Sequence, residues 1–219
     1  MNFIKYITMI LLSLEPSYSD KETWEERSAR MELIATAIDD ASSRATCADK
    51  YDMPDCEKTW IKDKKTLGLL LVTKGFWESK FAQNVHDGKC RVYECDAYKV
   101  NGKVRHKARS IWQIQKTGLV NKDEYAKMGS SSLESTTISA NVAVRHLTLG
   151  MNKCKTISGT IAVYGGAKSC FWTGAAPREA FYKKISAMSD EQIFAAADAR
   201  KVKRQKKLDV AFASDVKKK

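Results

Sequence analysis

One stretch of the chain joins a long apolar run to a single acid. Residues 67–82 read LGLLLVTKGFWESKFA, and their one acidic residue is Glu78. Asp63 precedes this stretch and can cap a helix that runs through it. An acid at the end of an apolar helix is costly to ionise, because burial disfavours the charged carboxylate and keeps a proton available near neutral pH. The stretch therefore predicts a general acid. The alternative is a helix-terminal glutamate that points to water.

The composition and charge indicate one globular domain with a polyanionic partner. The chain has 219 residues, of which 43% are hydrophobic, and this length is enough for one full core. Its formal net charge of +12 favours nucleic acid, an anionic membrane surface or the anionic bacterial cell wall as a partner. We find no helix-turn-helix, zinc-finger or RNP-type signature, so we expect no nucleic-acid partner.

The six cysteines fall into three couples that are close in sequence. The simplest pairing is local, although six cysteines allow many connectivities. An even count favours disulfides and an oxidising compartment, and the alternative is six buried free thiols. No CxxC occurs and the three histidines lack helical spacing with the cysteines, so we predict neither a metal site nor a cofactor. The couples are Cys47 with Cys56, Cys90 with Cys95, and Cys154 with Cys170.

The two ends of the chain differ in character from the domain predicted between them, residues 20–187. Residues 1–19 contain a short apolar run followed by small residues, which is typical of a secretory signal; the alternative is an N-terminal segment that packs on the domain. Residues 188–219 predict a basic helix and tail. Within it, residues 198–219 carry nine basic and three acidic residues, a net charge of +6. We interpret them as an electrostatic tether to an anionic polymer, with a solvated helix end as the alternative.

Local patterns predict a fold that is α+β and mostly α. Asn101-Gly102 between β-forming residues predicts a two-residue hairpin after the acid-bearing helix. Ser189 and Gln192 form a capping box that predicts a last helix. An apolar stripe at helical spacing predicts a helix from residue 20 to 45. Further helices are predicted over residues 121–128, 133–149 (stopping at Gly150), 156–165 and 177–188.

Four sequence pieces occur in a telling order along the chain: Glu78-Ser79-x-Phe81, ARSIWQI at 108–114, Asn141-Val142 before His146-Leu147, and AVYGG at 162–166. This order resembles the soluble lytic transglycosylase and goose-type lysozyme family, with its SLT-like domain. The resemblance covers about residues 65–170 and implies a lysozyme-like domain with a small β-hairpin element after the catalytic helix. Ser110, Trp112 and Gly165 depart from the family's usual Gly, Met and Asn, and the segment between the acid and the Gln-Ile pair is longer than is typical.

The resemblance implies a role for each matching residue. Glu78 matches the catalytic acid/base, and Tyr164 matches the tyrosine whose hydroxyl lies by the acid and the substrate. Trp77, Trp112 and Tyr164 could supply apolar surface for stacking on sugars, with core packing as the alternative. Four residues are implied to bind substrate. These four are Ser79, Gln113, Trp112 and Asn141.

The implied function is a peptidoglycan-cleaving glycosidase that cuts the β-1,4 bond between N-acetylmuramic acid and N-acetylglucosamine by lytic transglycosylation. We expect a monomer that acts on glycan strands in the periplasm or outside the cell, either secreted or carried in a virion. A hydrolytic muramidase of goose-lysozyme type is the alternative, with Asp87, Glu94 or Asp96 positioning a water. A catalytically silent cell-wall or virion structural protein on the same fold also stays open, as does a nucleic-acid binder that acts through the tail.

Overall fold

The computed structural model describes residues 1–14, 22–45 and 63–216, with side chains through residue 210. These residues form nine helices and two small antiparallel sheets of two strands each, so the fold is α+β and mostly α, as predicted. No helix in the described ranges is both long and apolar enough to cross a membrane. The elements are α1 (Phe3–Ser13), α2 (Trp24–Arg44), α3 (Lys64–Ser79), α4 (Gln83–His86), β1 (Ala97–Val100), β2 (Lys103–His106), β3 (Ala108–Arg109), β4 (Ile114–Gln115), α5 (Lys122–Lys127), α6 (Leu133–Cys154), α7 (Ile157–Tyr164), α8 (Ala175–Ser186) and α9 (Asp190–Val216).

Helix α3 runs through the middle of the core. Every residue from Leu67 to Gly75 is buried, so the helix is covered on all sides and can be apolar all round. The carboxylate of Asp63 accepts hydrogen bonds from two backbone N–H groups of the first turn, which confirms the predicted cap. Gly68 allows close packing against α1, because a Cβ there would lie 2.6 Å from the Phe3 ring.

The N-terminal helix α1 packs between α2 and α9. Ile7, Ile10 and Leu11 have no exposed surface. Near the C-terminus, the buried guanidinium of Arg204 in α9 donates to the backbone oxygen of Glu22. Residues 1–14 therefore belong to the core of the fold, and α9 is anchored to it through Ile193, Ala197 and Arg204. Cleavage after a signal over residues 1–19 stays a prediction.

The predicted hairpin is present and a second, shorter sheet follows it. Asn101 and Gly102 both have positive φ, 49° and 74°, and join β1 to β2 with Val100 opposite Lys103. Such a turn matches the twist of its strands. Strands β3 and β4 pair through Arg109 and Ile114, and the tight turn between them carries the segment that resembles the family's Gln-Ile piece.

Helix α6 does not stop at Gly150 as predicted but continues to Cys154. Gly150 serves close packing instead, since a Cβ there would lie 3.0 Å from the Thr160 backbone oxygen of α7. Two predicted disulfides are present, Cys90–Cys95 and Cys154–Cys170. The third, Cys47–Cys56, lies outside the described residues.

Candidate active site

A cleft of about 530 Å³ opens beside the C-terminal end of α3. Three residues that the sequence resemblance selects from distant parts of the chain line it together: Glu78, Gln113 and Tyr164. They come from α3, from the turn before β4 and from the end of α7, so the packing of these elements builds the cleft. Its other walls include Asp96, Gln115, Thr117, His146, Trp172 and Arg178.

The carboxylate of Glu78 is held by two cations. Its Oε1 atom lies 2.7 Å from Nζ of Lys74 and 3.0 Å from a guanidinium nitrogen of Arg178. The surroundings therefore differ from the apolar ones expected from the sequence. Phe76 stacks on Phe181 of α8 instead, and the acid keeps 22% of its side chain exposed towards the cleft.

Lys74 lies one helical turn before Glu78 and its side chain is fully buried. Burial lowers the pKa of Lys74 to about 8, although the Glu78 carboxylate acts in the opposite direction. The ammonium also lies 4.1 Å from the centre of the Tyr164 ring, a distance at which a cation is attracted to an aromatic face. Lys74 thus links the two residues to which the resemblance assigns chemistry.

Tyr164 is held in place by its hydroxyl, which donates to the backbone oxygen of Trp112 at 3.1 Å. Burial raises the pKa of the Tyr164 phenol, and the negative charge of Glu78 adds to this effect, so the hydroxyl keeps its proton at neutral pH. The ring of His146 lies 5.7 Å away. Burial lowers the pKa of His146, with Arg145 and Lys74 contributing, and the imidazole is therefore neutral at pH 7.

Gln113 reaches the cleft through an unusual backbone conformation, with φ at +51°. Its amide nitrogen donates to the Ser110 backbone oxygen at 3.1 Å and contacts the sulfur of Cys95 at 3.4 Å. The Cys90–Cys95 disulfide therefore braces this side of the cleft. Asp96, which follows the disulfide, accepts a hydrogen bond from Gln115 at 2.6 Å.

Three residues with implied substrate roles do not reach the cleft. Trp112 has no exposed surface and its indole donates to the Leu71 backbone oxygen at 3.0 Å, so it is a core residue that contributes only its carbonyl to the site. Ser79 hydrogen-bonds to the backbone of Gly75 and of Phe81 and so closes the end of α3. Asn141 is buried in α6 and is not among the residues that line the cleft.

Sequence reasoning missed the two cations on Glu78. Lys74 stands four residues before the acid on the same helix, and such a spacing is a readable signal for an ion pair. Arg178 gave no local signal, because its contact with Glu78 spans 100 residues of sequence. Trp172 and His146 were missed as cleft residues for the same reason.

In the part of the chain that the structure describes, no group of three His, Cys, Asp or Glu side chains could hold a metal ion. Comparisons of the chain with models of protein families, with curated proteins and with solved structures each find no match. The family resemblance therefore rests on the four sequence pieces alone.

Proposed function

We propose that this chain cleaves the β-1,4 bond between N-acetylmuramic acid and N-acetylglucosamine in peptidoglycan, with Glu78 as the acid/base, by lytic transglycosylation. One observation carries the proposal. The acid, the amide and the tyrosine that the resemblance selects from distant parts of the chain line one cleft. An open groove that combines an acid, amides and aromatic surface suits a sugar polymer.

The ion pair of Glu78 has a direct consequence for the acid step. Two cations contact the Glu78 carboxylate, and the leaving oxygen needs a proton. Lys74 can supply it, because its ammonium lies 2.7 Å from the carboxylate and its pKa of about 8 makes it a better donor than an ordinary lysine. Proton transfer leaves a neutral amine and a neutral acid, and Glu78 then protonates the leaving glycosidic oxygen.

The second half of the reaction reverses the role of Glu78. Once the glycosidic bond breaks, the carboxylate accepts the proton of the muramyl 6-hydroxyl, whose oxygen bonds to C1 and closes a 1,6-anhydro ring. A hydroxyl already held on the sugar has a high effective concentration and outcompetes water. The oxocarbenium-like transition state also needs support, which the sugar's own N-acetyl group can give without a second carboxylate.

A hydrolytic muramidase is the alternative chemistry, and one observation favours it. Three acids lie in the segment between α3 and the hairpin: Asp87, Glu94 and Asp96. Asp96 lines the same cleft as Glu78. A carboxylate there could activate a water on the opposite side of the sugar ring. The hydrogen bond from Gln115 holds Asp96 in position for such a role.

A catalytically silent glycan-binding or structural protein is the second candidate function. The contacts of Lys74 and Arg178 with Glu78 favour it, because a carboxylate held by two cations can serve as a structural ion pair. Gln113 and the indole of Trp172 could still bind sugar in such a protein.

The proposal extends to the surroundings of the enzyme. Two disulfides suit an oxidising compartment, and we propose that a monomer acts in the periplasm or outside the cell, secreted or carried in a virion. The basic face of α9, with exposed Lys201 and Lys206, is the proposed contact with anionic cell-wall polymer.

A zymogram on purified peptidoglycan tests cleavage against silent binding. We expect a cleared band for the oxidised wild-type chain. A folded chain that pellets with peptidoglycan yet clears nothing would support the silent candidate and contradict the proposed activity.

A further inference from the structure

Arg178 is held between two indole rings at the wall of the cleft. It lies in the first turn of α8, and its guanidinium carbon is 4.7 Å from the centre of the Trp172 ring and 5.7 Å from that of Trp77. Contact with two aromatic rings restricts the orientation of the guanidinium. The side chain is 16% exposed, so it is held in place but stays accessible from the cleft.

The contact of Arg178 with Glu78 uses only part of what a guanidinium offers. One nitrogen donates to Oε1, and Lys74 donates to that same oxygen. A guanidinium carries five N–H donors in a fork that matches both oxygens of a carboxylate. Elsewhere in this chain the fork is used in that way, since Arg30 holds both oxygens of Glu22 at 2.7 and 3.1 Å.

We propose that Arg178 is a specificity-determining residue that recognises a free carboxylate on the glycan. Building on the proposed function, this names the substrate class: strands whose muramyl lactyl groups carry no peptide. The lactyl carboxylate is a planar oxyanion of the kind that a guanidinium fork binds. N-acetylglucosamine lacks this group, and a muramyl residue that bears a stem peptide has it as an amide.

Recognition of this carboxylate involves the cation that also holds Glu78. A ligand carboxylate on the fork of Arg178 competes with Glu78 for the same guanidinium. Glu78 then keeps Lys74 as its described cationic partner. Binding of the anionic substrate is therefore expected to rearrange the contacts of Glu78 at the wall of the cleft.

Tryptophan fluorescence tests the proposal, because Trp77 and Trp172 flank the cation. The probes are the N-acetylglucosaminyl-N-acetylmuramic acid disaccharide with its carboxylate free, the same disaccharide with that carboxylate amidated, and diacetylchitobiose. We expect the wild-type chain to bind the first probe about tenfold more tightly than the other two. Arg178→Gln should bind all three alike, and Arg105→Gln, which alters an exposed arginine on β2, should keep the preference.

Arg178→Lys is a second variant in case Arg178→Gln does not fold. It keeps the positive charge but lacks the fork, so it should retain only part of the preference for the free carboxylate. Equal wild-type affinity for the three probes, no binding of any, or a preference that survives in folded Arg178→Gln would overturn the proposal. The readout needs no cleavage. If the chain shows the preference but leaves peptidoglycan intact, the proposed function is wrong and the carboxylate-binding site stands.

Discussion

Two glutamates of this chain are each surrounded by cations, yet their settings differ. Glu22 has no exposed side-chain surface; Arg30 holds both of its oxygens and Arg27 lies 3.7 Å away. Arg30 also donates to the Phe81 backbone oxygen, so this cluster ties α2 to the segment after α3. Glu78 has one oxygen shared by two cations and opens into the cleft.

The difference between the two settings distinguishes a charge cluster that is closed to ligands from one that opens into a cleft. A buried carboxylate gripped through both oxygens has no room for a ligand and no free path for a proton. A carboxylate held through one oxygen at the wall of a cleft has room for a ligand and a path for a proton. Cations around an acid therefore do not mark a candidate site by themselves; the 22% exposure of the Glu78 side chain and the cleft that it lines with Gln113 and Tyr164 do.

The largest expected effect is the difference in cleavage rate between the Glu78→Gln and Glu22→Gln variants. Glu78→Gln keeps the shape of the side chain and removes its transferable proton, and general acid–base catalysis contributes about 10²–10⁴-fold. The rate of peptidoglycan cleavage should fall by at least that range. Glu22→Gln, assayed at a temperature where it is folded, should keep most of the wild-type rate. Comparable losses in both folded variants would erase the distinction between the clusters.

The free energy of unfolding should show the opposite order, with the larger loss in Glu22→Gln and the smaller one in Glu78→Gln. Glu22→Gln leaves Arg27 and Arg30 buried beside a neutral amide, and breaking a buried ion pair typically costs about 3–5 kcal/mol. Glu78→Gln should cost less, because its site reaches solvent through the cleft. Denaturant unfolding of the oxidised chain measures both, and Glu25→Gln, an exposed acid three residues along, is the matched control. A Glu22→Gln variant as stable as this control would contradict a structural role for the cluster.

Lys74 makes the free energy of unfolding of the chain depend on pH. Its pKa is about 8 in the folded chain, whereas the ordinary value for lysine is 10.5, so between these pH values the unfolded chain binds the additional proton. The free energy of unfolding of the wild type should therefore rise with pH across this window, by up to about 3 kcal/mol relative to Lys74→Met. Denaturant curves for both chains at about pH 7 and about pH 10 give this difference, and a difference that does not change with pH would contradict the buried, depressed lysine.

The smallest expected effect is that of the basic helix on substrate affinity. Deleting residues 198–219 would remove Arg204, which is buried against Glu22, so exposed lysines are the better targets. The double variant Lys201→Gln/Lys206→Gln should raise KM about two- to threefold at low salt and leave kcat unchanged, with the effect fading as salt screens it. Lys99→Gln/Lys103→Gln, with the same charge change on the hairpin, should not raise KM. An equal rise of KM in the two double variants would show that the net charge, and not the position of the lysines on α9, sets the affinity.

Local signals in the sequence predicted many elements of the fold. The Asp63 cap, the Asn101-Gly102 turn and the Ser189–Gln192 capping box are all present, because each depends on residues within three or four positions of one another. Gly150 was misread because a glycine ends a helix or allows close packing, and only the approach of α7 decides between the two.

The site was less predictable, because its members meet through long-range packing. Glu78, Gln113 and Tyr164 could be chosen by resemblance, yet Arg178 comes to the acid from 100 residues away. Trp112 lies in a segment that suggests sugar contact, yet it packs in the core, where its indole donates to the backbone oxygen of Leu71 in α3. The pattern of apolar residues alone cannot tell a core tryptophan from a cleft tryptophan.

Mass spectrometry of the fragments released from purified peptidoglycan tests the central claim most directly. It reports cleavage and its chemistry together, because the two routes leave different ends on the muramyl residue. The account predicts 1,6-anhydromuramyl ends from the wild-type chain. Reducing muramyl ends that disappear in Asp96→Asn would show hydrolysis instead, and no fragments from the folded, oxidised chain would contradict the assignment of this cleft as a glycan-cleaving site.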